Sequence, residues 1–410
     1  MRRFNRHLLP VVAGIVLAQA ARAEDGSSPF SLSGFGSLGA VYHDSQGVAF
    51  RRDISQPDGA KAGQASLAQD SMLGVQLTAR PGNRLEAALQ LVSRNNIDVG
   101  YTPQVTWAYA KFKPTQEISL RAGRLGVELY LQGDSAEIGY ANLPIRQPSF
   151  FYPRTLDGID ADHIRPLGKG NLRLKGMAGS LVGKLIPNGP AYNAAGSKFW
   201  GALAEYTAGG WTGWVAGGRY VLNKEMQATR YAQLTSSLNA VPNGGEILSS
   251  LSMKERPISY LSTAVAYDAG PLQANLNYFR LSSPHWSTVH TVFAQAGYRL
   301  GNFTPYATYS RQYTDRDMTP TGIPWGLSSG TDALNQGIAV AQSALKANQS
   351  DIGLGVRYDL SPSSALKFQV DRIRYRDTQN IIDPGLQSEP VDNRRSKGLS
   401  LISLALEFVF

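Results

Sequence analysis

The sequence predicts an all-β protein: a transmembrane antiparallel β-barrel of sixteen strands (fourteen or eighteen as the alternatives), with short turns at one end and long loops at the other. Three observations carry this. Apolar side chains recur on every second residue, in segments of about ten residues, from one end of the chain to the other. The connections between those segments alternate between tight turns and longer loops. The mean hydropathy is −0.22, and no run reaches the ~18 apolar residues of a spanning helix. If the chain crosses a membrane, it does so with strands.

The segments, taken in order, share one grammar. In "LGVQLTA", 73–79, Leu73, Val75, Leu77 and Ala79 oppose Gln76 and Thr78. In "RLEAALQLVSR", 84–94, Leu85, Ala87, Leu89 and Leu91 oppose Glu86, Gln90 and Arg94. "ISLRAG" sets Ile118, Leu120 and Ala122 against Ser119 and Arg121, and "LRLKGMA" sets Leu172 and Leu174 against Arg173 and Lys175. "LQANLNY", "DIGLGVRYDL" and the terminal "LISLALEFVF" repeat the pattern, the last with Ile402, Leu404, Leu406, Phe408 and Phe410 on one parity. A period of two is a strand with one oily face.

Seven connections are tight and built of turn residues: "RPGN", "KPTQ", "LGKGN", "AGG", "DAGP", "LGN" and "LSPSS". Eight others span about 44–69, 95–104, 125–155, 181–197, 223–257, 283–287, 314–349 and 376–397. Seven turns and eight loops join sixteen strands, and an even count puts both termini at the short-turn end. In hydrocarbon every backbone N–H and C=O needs an internal partner, so a sheet spans only if it closes on itself. A tilted strand needs ~9–11 residues to cross, which is the segment length here. Aromatics belong near the two interfaces. Trp107, Tyr109 and Phe112 in one segment, and Trp200, Tyr206, Trp211, Trp214 and Tyr220 around one turn, are the candidate girdle residues.

The bulk numbers bound the rest. The chain has 410 residues, 42 Gly, 19 Tyr and no Cys, with a formal net charge of +9. "MRRFNRHLLPVVAGIVLAQAARA" has a basic start, a short apolar stretch and a small-x-small end, so residues 1–23 read as a secretory signal peptide cut after Ala23. An N-terminal membrane anchor is the alternative. Without the signal the net charge is +5, far short of the dense basic patch of a nucleic-acid binder. Residues 24–410 then form a single barrel domain, and no disulfide framework holds it.

The alternation that ends on Phe408 and Phe410 resembles the C-terminal signature of Gram-negative outer-membrane porins. "GVRYDLSPSSALKFQVDRIRY" resembles their penultimate hairpin, and "SGFGSLGAVY" looks like their first strand. The resemblance covers the layout of the whole mature chain. It implies a sixteen-stranded homotrimer in the cell outer membrane, with short periplasmic turns and extracellular loops. Phe408 and Phe410 would be read by the barrel-assembly machinery, and outer-membrane lipid and lipopolysaccharide would surround the wall. It also implies passive diffusion of small hydrophilic solutes and ions, without a cofactor.

In such porins the third long loop folds into the lumen. Here that loop is 125–155, with Glu128, Asp134, Glu137, Arg146 and Arg154, and with Tyr130, Tyr140, Phe150, Phe151 and Tyr152. A neighbour-packed external loop is the other reading. The Pro-Glu-Phe-Gly-type tetrapeptide of some general porins is missing. Opposite the loop, bases of lumen parity would form a ladder: Arg94, Lys111, Arg121, Arg173, Lys175, Arg219, Arg299 and Arg357. Fixed cations in a throat draw anions and repel cations, so a mild anion preference follows. Pairing with Glu86, Glu205, Asp359 or Asp371 is the competing role for any one of them. Within the long loops 223–257 and 314–349, "KEMQATRYAQLTSSLNAV" and "TDALNQGIAVAQSALKAN" have helical spacing.

A channel selective for carboxylates or other small anions, and a plugged adhesive or structural barrel, share these features. An outer-membrane hydrolase needs a positioned Ser–His pair. "SSPHWSTVH" brings Ser287 near His285 and His290, but no Gly-x-Ser-x-Gly elbow accompanies it. No motif has metal-ligand or phosphate-loop spacing. A hydrophobic-compound channel needs an N-terminal hatch and an autotransporter needs a passenger. Only "EDGSSP" precedes the first strand. The expectation is a non-enzymatic pore.

Overall fold

The computed structural model describes residues 28–97, 99–147, 154–185, 191–225, 235–239, 241–252, 254–283, 286–315, 320–343, 348–375, 386–388 and 398–410. Sixteen antiparallel strands close into one barrel. They are β1 (Phe30–Tyr42), β2 (Met72–Ala79), β3 (Leu85–Arg94), β4 (Gln104–Phe112), β5 (Ile118–Gly126), β6 (Thr155–Leu167), β7 (Gly170–Val182) and β8 (Lys198–Ala208). The second half holds β9 (Trp211–Val221), β10 (Pro257–Ala269), β11 (Leu272–Ser283), β12 (Trp286–Tyr298), β13 (Phe303–Asp315), β14 (Asn348–Ser361), β15 (Ser364–Tyr375) and β16 (Gly398–Val409). Each strand pairs with its sequence neighbours, and β16 closes on β1 with Phe35 opposite Val409 and Tyr42 opposite Ile402.

The alternation read from the sequence is the alternation across the wall. Leu366, Phe368 and Val370 are exposed on the outside, while Lys367, Gln369 and Asp371 between them are buried inside. The terminal segment does the same, with Ile402 and Leu404 out and Ser403, Ala405 and Glu407 in. Phe408 and Phe410 have a structural task at the seam. A Cβ placed on Gly36 would lie 2.3 Å from the Phe408 ring, and one on Gly34 would lie 2.3 Å from Phe410. The two rings lie over bare backbone of β1, which is why "SGFGSLG" carries glycine there.

Outward aromatics gather at the short-turn end: Phe30, Phe112, Tyr206, Trp211, Tyr298 and Phe303 are all exposed. Trp211 packs on Tyr267 at 4.7 Å and Phe303 on Tyr358 at 4.5 Å between ring centroids. Four of the candidate girdle residues point the other way. Trp107 lines the interior passage, Tyr109 lies under the inward Arg121, and Trp214 and Tyr220 are buried inside. Each is one residue out of phase with its outward neighbours.

The core lies inside the barrel. Phe199, Tyr220, Tyr260 and Phe279, from four adjacent strands, stack along the inner wall at centroid distances of 5.0 to 6.1 Å. Val127, Leu129 and Tyr130, just beyond β5, pack against this wall. Burying a side chain of this size is worth ~1.5–3 kcal/mol. Above the barrel, helix α1 (Gly244–Leu251) and helix α2 (Ser329–Ser343) meet through Ile247 and Ile338. The second matches the helical stretch expected in 314–349. Of the earlier stretch, 224–241, residues 235–238 are helical as expected and residues 226–234 and 240 lie outside the described residues; α1 follows beyond it.

Candidate functional site

The loop after β5 enters the lumen. Its neck is closed by a hydrogen bond from the Val127 N–H to the Arg154 carbonyl (2.9 Å). From there its tip packs against the wall formed by β14–β16 and β1. A single 3-10 turn, Gly139–Ala141, sits on β1 and β16. The tip is tied down by cations donating to its carbonyls. Lys367 Nζ donates to Gly139 O (2.9 Å) and Asn142 O (2.6 Å) while pairing with Glu407 (2.5 Å). Arg357 donates to Tyr140 O (2.6 Å) and its guanidinium lies 4.6 Å over the Tyr140 ring. The Tyr140 hydroxyl donates to Pro362 O (2.7 Å), in the short turn between β14 and β15. The loop therefore reaches the short-turn end of the opposite wall.

Arg146 completes this anchorage. It donates to Ser403 Oγ (2.6 Å) and Asp371 (3.2 Å) and pairs with Asp70. It is buried and holds the loop. Phe150, Phe151 and Tyr152 lie outside the described residues.

Between the loop and the inner wall of β3–β7 lies a passage of about 670 Å³. Glu128, Asp134 and Glu137 face it from the loop; Arg94, Lys111, Arg121 and Arg173 face it from the wall. The two sides touch. Glu128 pairs with Arg173 (3.0 Å) and with Lys175. Glu137 pairs with Arg154 (3.3 Å) and Arg94 (3.6 Å). Behind them, Asp160 accepts from Arg121 (2.9 Å) and pairs with Lys175 (3.1 Å), and Asp162 pairs with Arg173 (2.7 Å). Asp53, from the first long loop, pairs with Arg94 (3.0 Å) and Arg154 (3.4 Å).

Electrostatics follow from burial against pairing. Burial pushes the Asp53 carboxyl up, but Arg94, Arg154 and the Ser55 hydrogen bonds outweigh it and hold the group well below the usual range. Glu128 is likewise desolvated, yet Lys175 and Arg173 hold it down. Asp134 goes the other way: burial and then the charge of Glu128 raise it.

Arg219 and Arg299 do not belong to the ladder. Arg219 shares the outward parity of Trp211 and Val215, because Trp214, Ala216 and Tyr220 take the inward positions. Arg299 lies just past β12 at the short-turn rim, donating to Asp268 (2.6 Å) and Gly270 O (2.8 Å). Lys175 is fully buried behind Glu128, so it holds the loop and does not border the passage. Sequence reasoning missed Asp53, Asp160, Asp162, Lys367 and Glu407. The signal for Lys367 was present, since it alternates with Leu366 and Phe368. His290 stacks on Tyr313 at 4.8 Å and hydrogen-bonds the Tyr278 hydroxyl (2.8 Å), on the outward parity of β12, while His285 lies outside the described residues.

A closed barrel with an apolar outer wall and a charged, loop-narrowed interior defines a transmembrane channel. The chain belongs to the Gram-negative porin family, whose model matches residues 9–378. That family and this fold place it in the outer membrane. Among solved structures, OmpF of Salmonella typhi, in complex with daunomycin, is similar at a TM-score of 0.55 and 10% identity, covering 93% of this chain and 97% of that one. An anion-selective porin from Comamonas acidovorans is similar at 0.52 and 12%, covering 93% and 100%. The outer-membrane channel DcaP of Acinetobacter baumannii is similar at 0.52 and 11%, covering 95% and 100%. At these identities the likeness is one of fold. No curated protein matches the sequence significantly.

Proposed function

We propose that the protein is a passive diffusion pore for small hydrophilic solutes, with a mild anion preference, and that it acts without catalysis. The observation that carries this is the lining of the passage: six basic side chains against four acidic ones, leaving aside Arg124, which pairs with Asp157 on the outward parity of β6. The excess stays mild because Asp53 and Asp160, buried just behind the lining, offset part of it. Opposed charges on the loop and the wall set a transverse field across a narrow throat, which orders small polar solutes by charge and dipole. A channel selective for small carboxylates is the second reading, favoured by the same lining bases. In keeping with the resemblance to sixteen-stranded porins, the chain is exported by cleavage after Ala23. Phe408 and Phe410 serve as its assembly signal, and it works as a homotrimer among outer-membrane lipids.

The test is single-channel recording of the refolded mature protein in planar bilayers under a KCl gradient. The expected result is nanosiemens-scale steps with a reversal potential favouring Cl⁻. An Arg121→Ala, Arg173→Ala double variant leaves Asp162 without its partner and Asp160 with Lys175 alone, so its preference should shift towards K⁺. Absence of steps from folded protein would refute the open-pore reading. Cl⁻ preference unchanged in the double variant would remove these two arginines from the field.

A further inference from the structure

At the short-turn end of the lumen, β2, β3 and β4 bring four cations together. Thr78 and Ala88 are buried on the inner face. Arg80 and Arg84, at even spacing from them, share lumen parity. Lys111 lines the passage, and Lys113 follows it on the same parity. Glu86 stands opposite Lys111 in the β3–β4 register. The Lys113 N–H donates to the Arg84 carbonyl (2.8 Å), which sets those two residues side by side as the next pair down.

One carboxylate serves all four. Glu86 accepts from Arg80 (3.0 Å) and lies 4.0 Å from Lys111. Arg80 also donates to Ser31 Oγ (3.3 Å). The side chains of Arg84 and Lys113 make no hydrogen bond or ion pair among the described residues, and both residues are exposed. By contrast, Arg299 and Arg357, towards the same end on other strands, each have a carboxylate, at 2.6 and 2.8 Å. Like charges set opposite one another weaken a strand pair. In a concave mouth with low-dielectric walls, surplus cations focus a positive potential. Spread over three adjacent strands, they match an anion with several charges better than a halide. The guanidinium fork takes an oxyanion through two hydrogen bonds, and the ammonium adds a compact charge beside it.

We infer that this cluster is a binding site for a small water-soluble oxyanion carrying two or more negative charges, a phosphorylated solute or a polycarboxylate. The oxyanion sits between Arg84 and Lys113, with Arg80 and Lys111 flanking it. The site rests on the anion-preferring passage proposed above, whose lining includes Lys111. The passage admits anions by charge, and the short-turn mouth retains the multivalent ones.

Isothermal titration calorimetry of the refolded mature protein, in a neutral detergent at low salt, tests this. Sodium pyrophosphate and citrate are the probes, and acetate is the monovalent control. One pyrophosphate or one citrate per chain is expected, with no detectable acetate binding. The tighter of the two assigns the site to phosphorylated solutes or to polycarboxylates. Arg84→Gln with Lys113→Gln should weaken binding roughly tenfold or more. An unchanged heat-modifiable shift on semi-native electrophoresis shows that this variant folds. Arg121→Ala with Arg173→Ala, in the passage, should leave binding in place. Equal affinity in wild type and in the Arg84, Lys113 variant would overturn the site, and so would a loss confined to the passage variant. Calorimetry reports binding whether or not the pore conducts. Binding without conductance steps would refute the open pore alone, and Cl⁻-favouring steps without pyrophosphate or citrate binding would refute this site alone.

Discussion

Lys367 and Glu407 are the residues on which the loop's position turns. Both side chains are buried, at 0% and 1% exposure, and they pair at 2.5 Å. The lysine also supplies hydrogen bonds to two loop carbonyls. Removing one member of a buried pair leaves an uncompensated charge and costs ~3–5 kcal/mol, whereas replacing both is much milder. Lys367→Met should therefore lower the urea midpoint of unfolding in lipid vesicles, followed by tryptophan fluorescence, and adding Glu407→Gln should restore part of the loss. If the double variant is no more stable than the single one, the pair is not the coupling element. The seam offers a second prediction at this scale. Gly36→Val would drive a side chain into the Phe408 ring, an overpacking cost of ~1–3 kcal/mol. The barrel of that variant should lose its heat-modifiable shift on semi-native electrophoresis at a lower temperature than wild type.

At the scale of elements, the in-folded loop is held at two ends by different chemistry. Its tip hangs on cation-to-carbonyl bonds from β14 and β15. Its neck hangs on Glu128, clasped by Arg173 and Lys175. Glu128→Gln removes the charge from the neck while leaving the tip anchored, so the passage should stay formed but fluctuate. More frequent sub-state transitions in single-channel records are expected, with little change in the barrel's unfolding midpoint. The strands were legible because a wall between lipid and lumen enforces a period of two, and the turns because they use Gly, Pro and Asn. The path of the loop was not legible. Tyr140 meets Pro362 across 222 positions of sequence, and no local pattern encodes that meeting. Arg219 was misplaced for a related reason: the inner wall at β9 is apolar, so Trp214 and Tyr220 face inward and polarity there no longer reports direction. Arg299 failed on height, which parity does not give.

For the molecule as a whole, the balance of charge in the passage should depend on pH in two stages, because the loop acids are pushed in opposite directions. Asp134 is raised by burial and by Glu128, so it neutralises at a higher pH than an ordinary aspartate. Glu128 is held low by Lys175 and Arg173. A depressed carboxylate stabilises the fold above its unfolded value, and that contribution is lost as pH falls through the folded one. As the pH falls from 7, Asp134 should therefore lose its charge before Glu128. The passage gains net positive charge while the neck remains clasped, so Cl⁻ preference should rise with conductance steady. Only at lower pH does Glu128 take up a proton. The clasp then opens and the conductance pattern changes, as it does at neutral pH in Glu128→Gln. Reversal potentials across a pH series check the sequence of events. Asp134→Asn should abolish the first stage and leave the second in place. A single transition, or one in which conductance changes before selectivity, would mean that the two carboxylates titrate together and that selectivity and loop anchorage are one property of this pore.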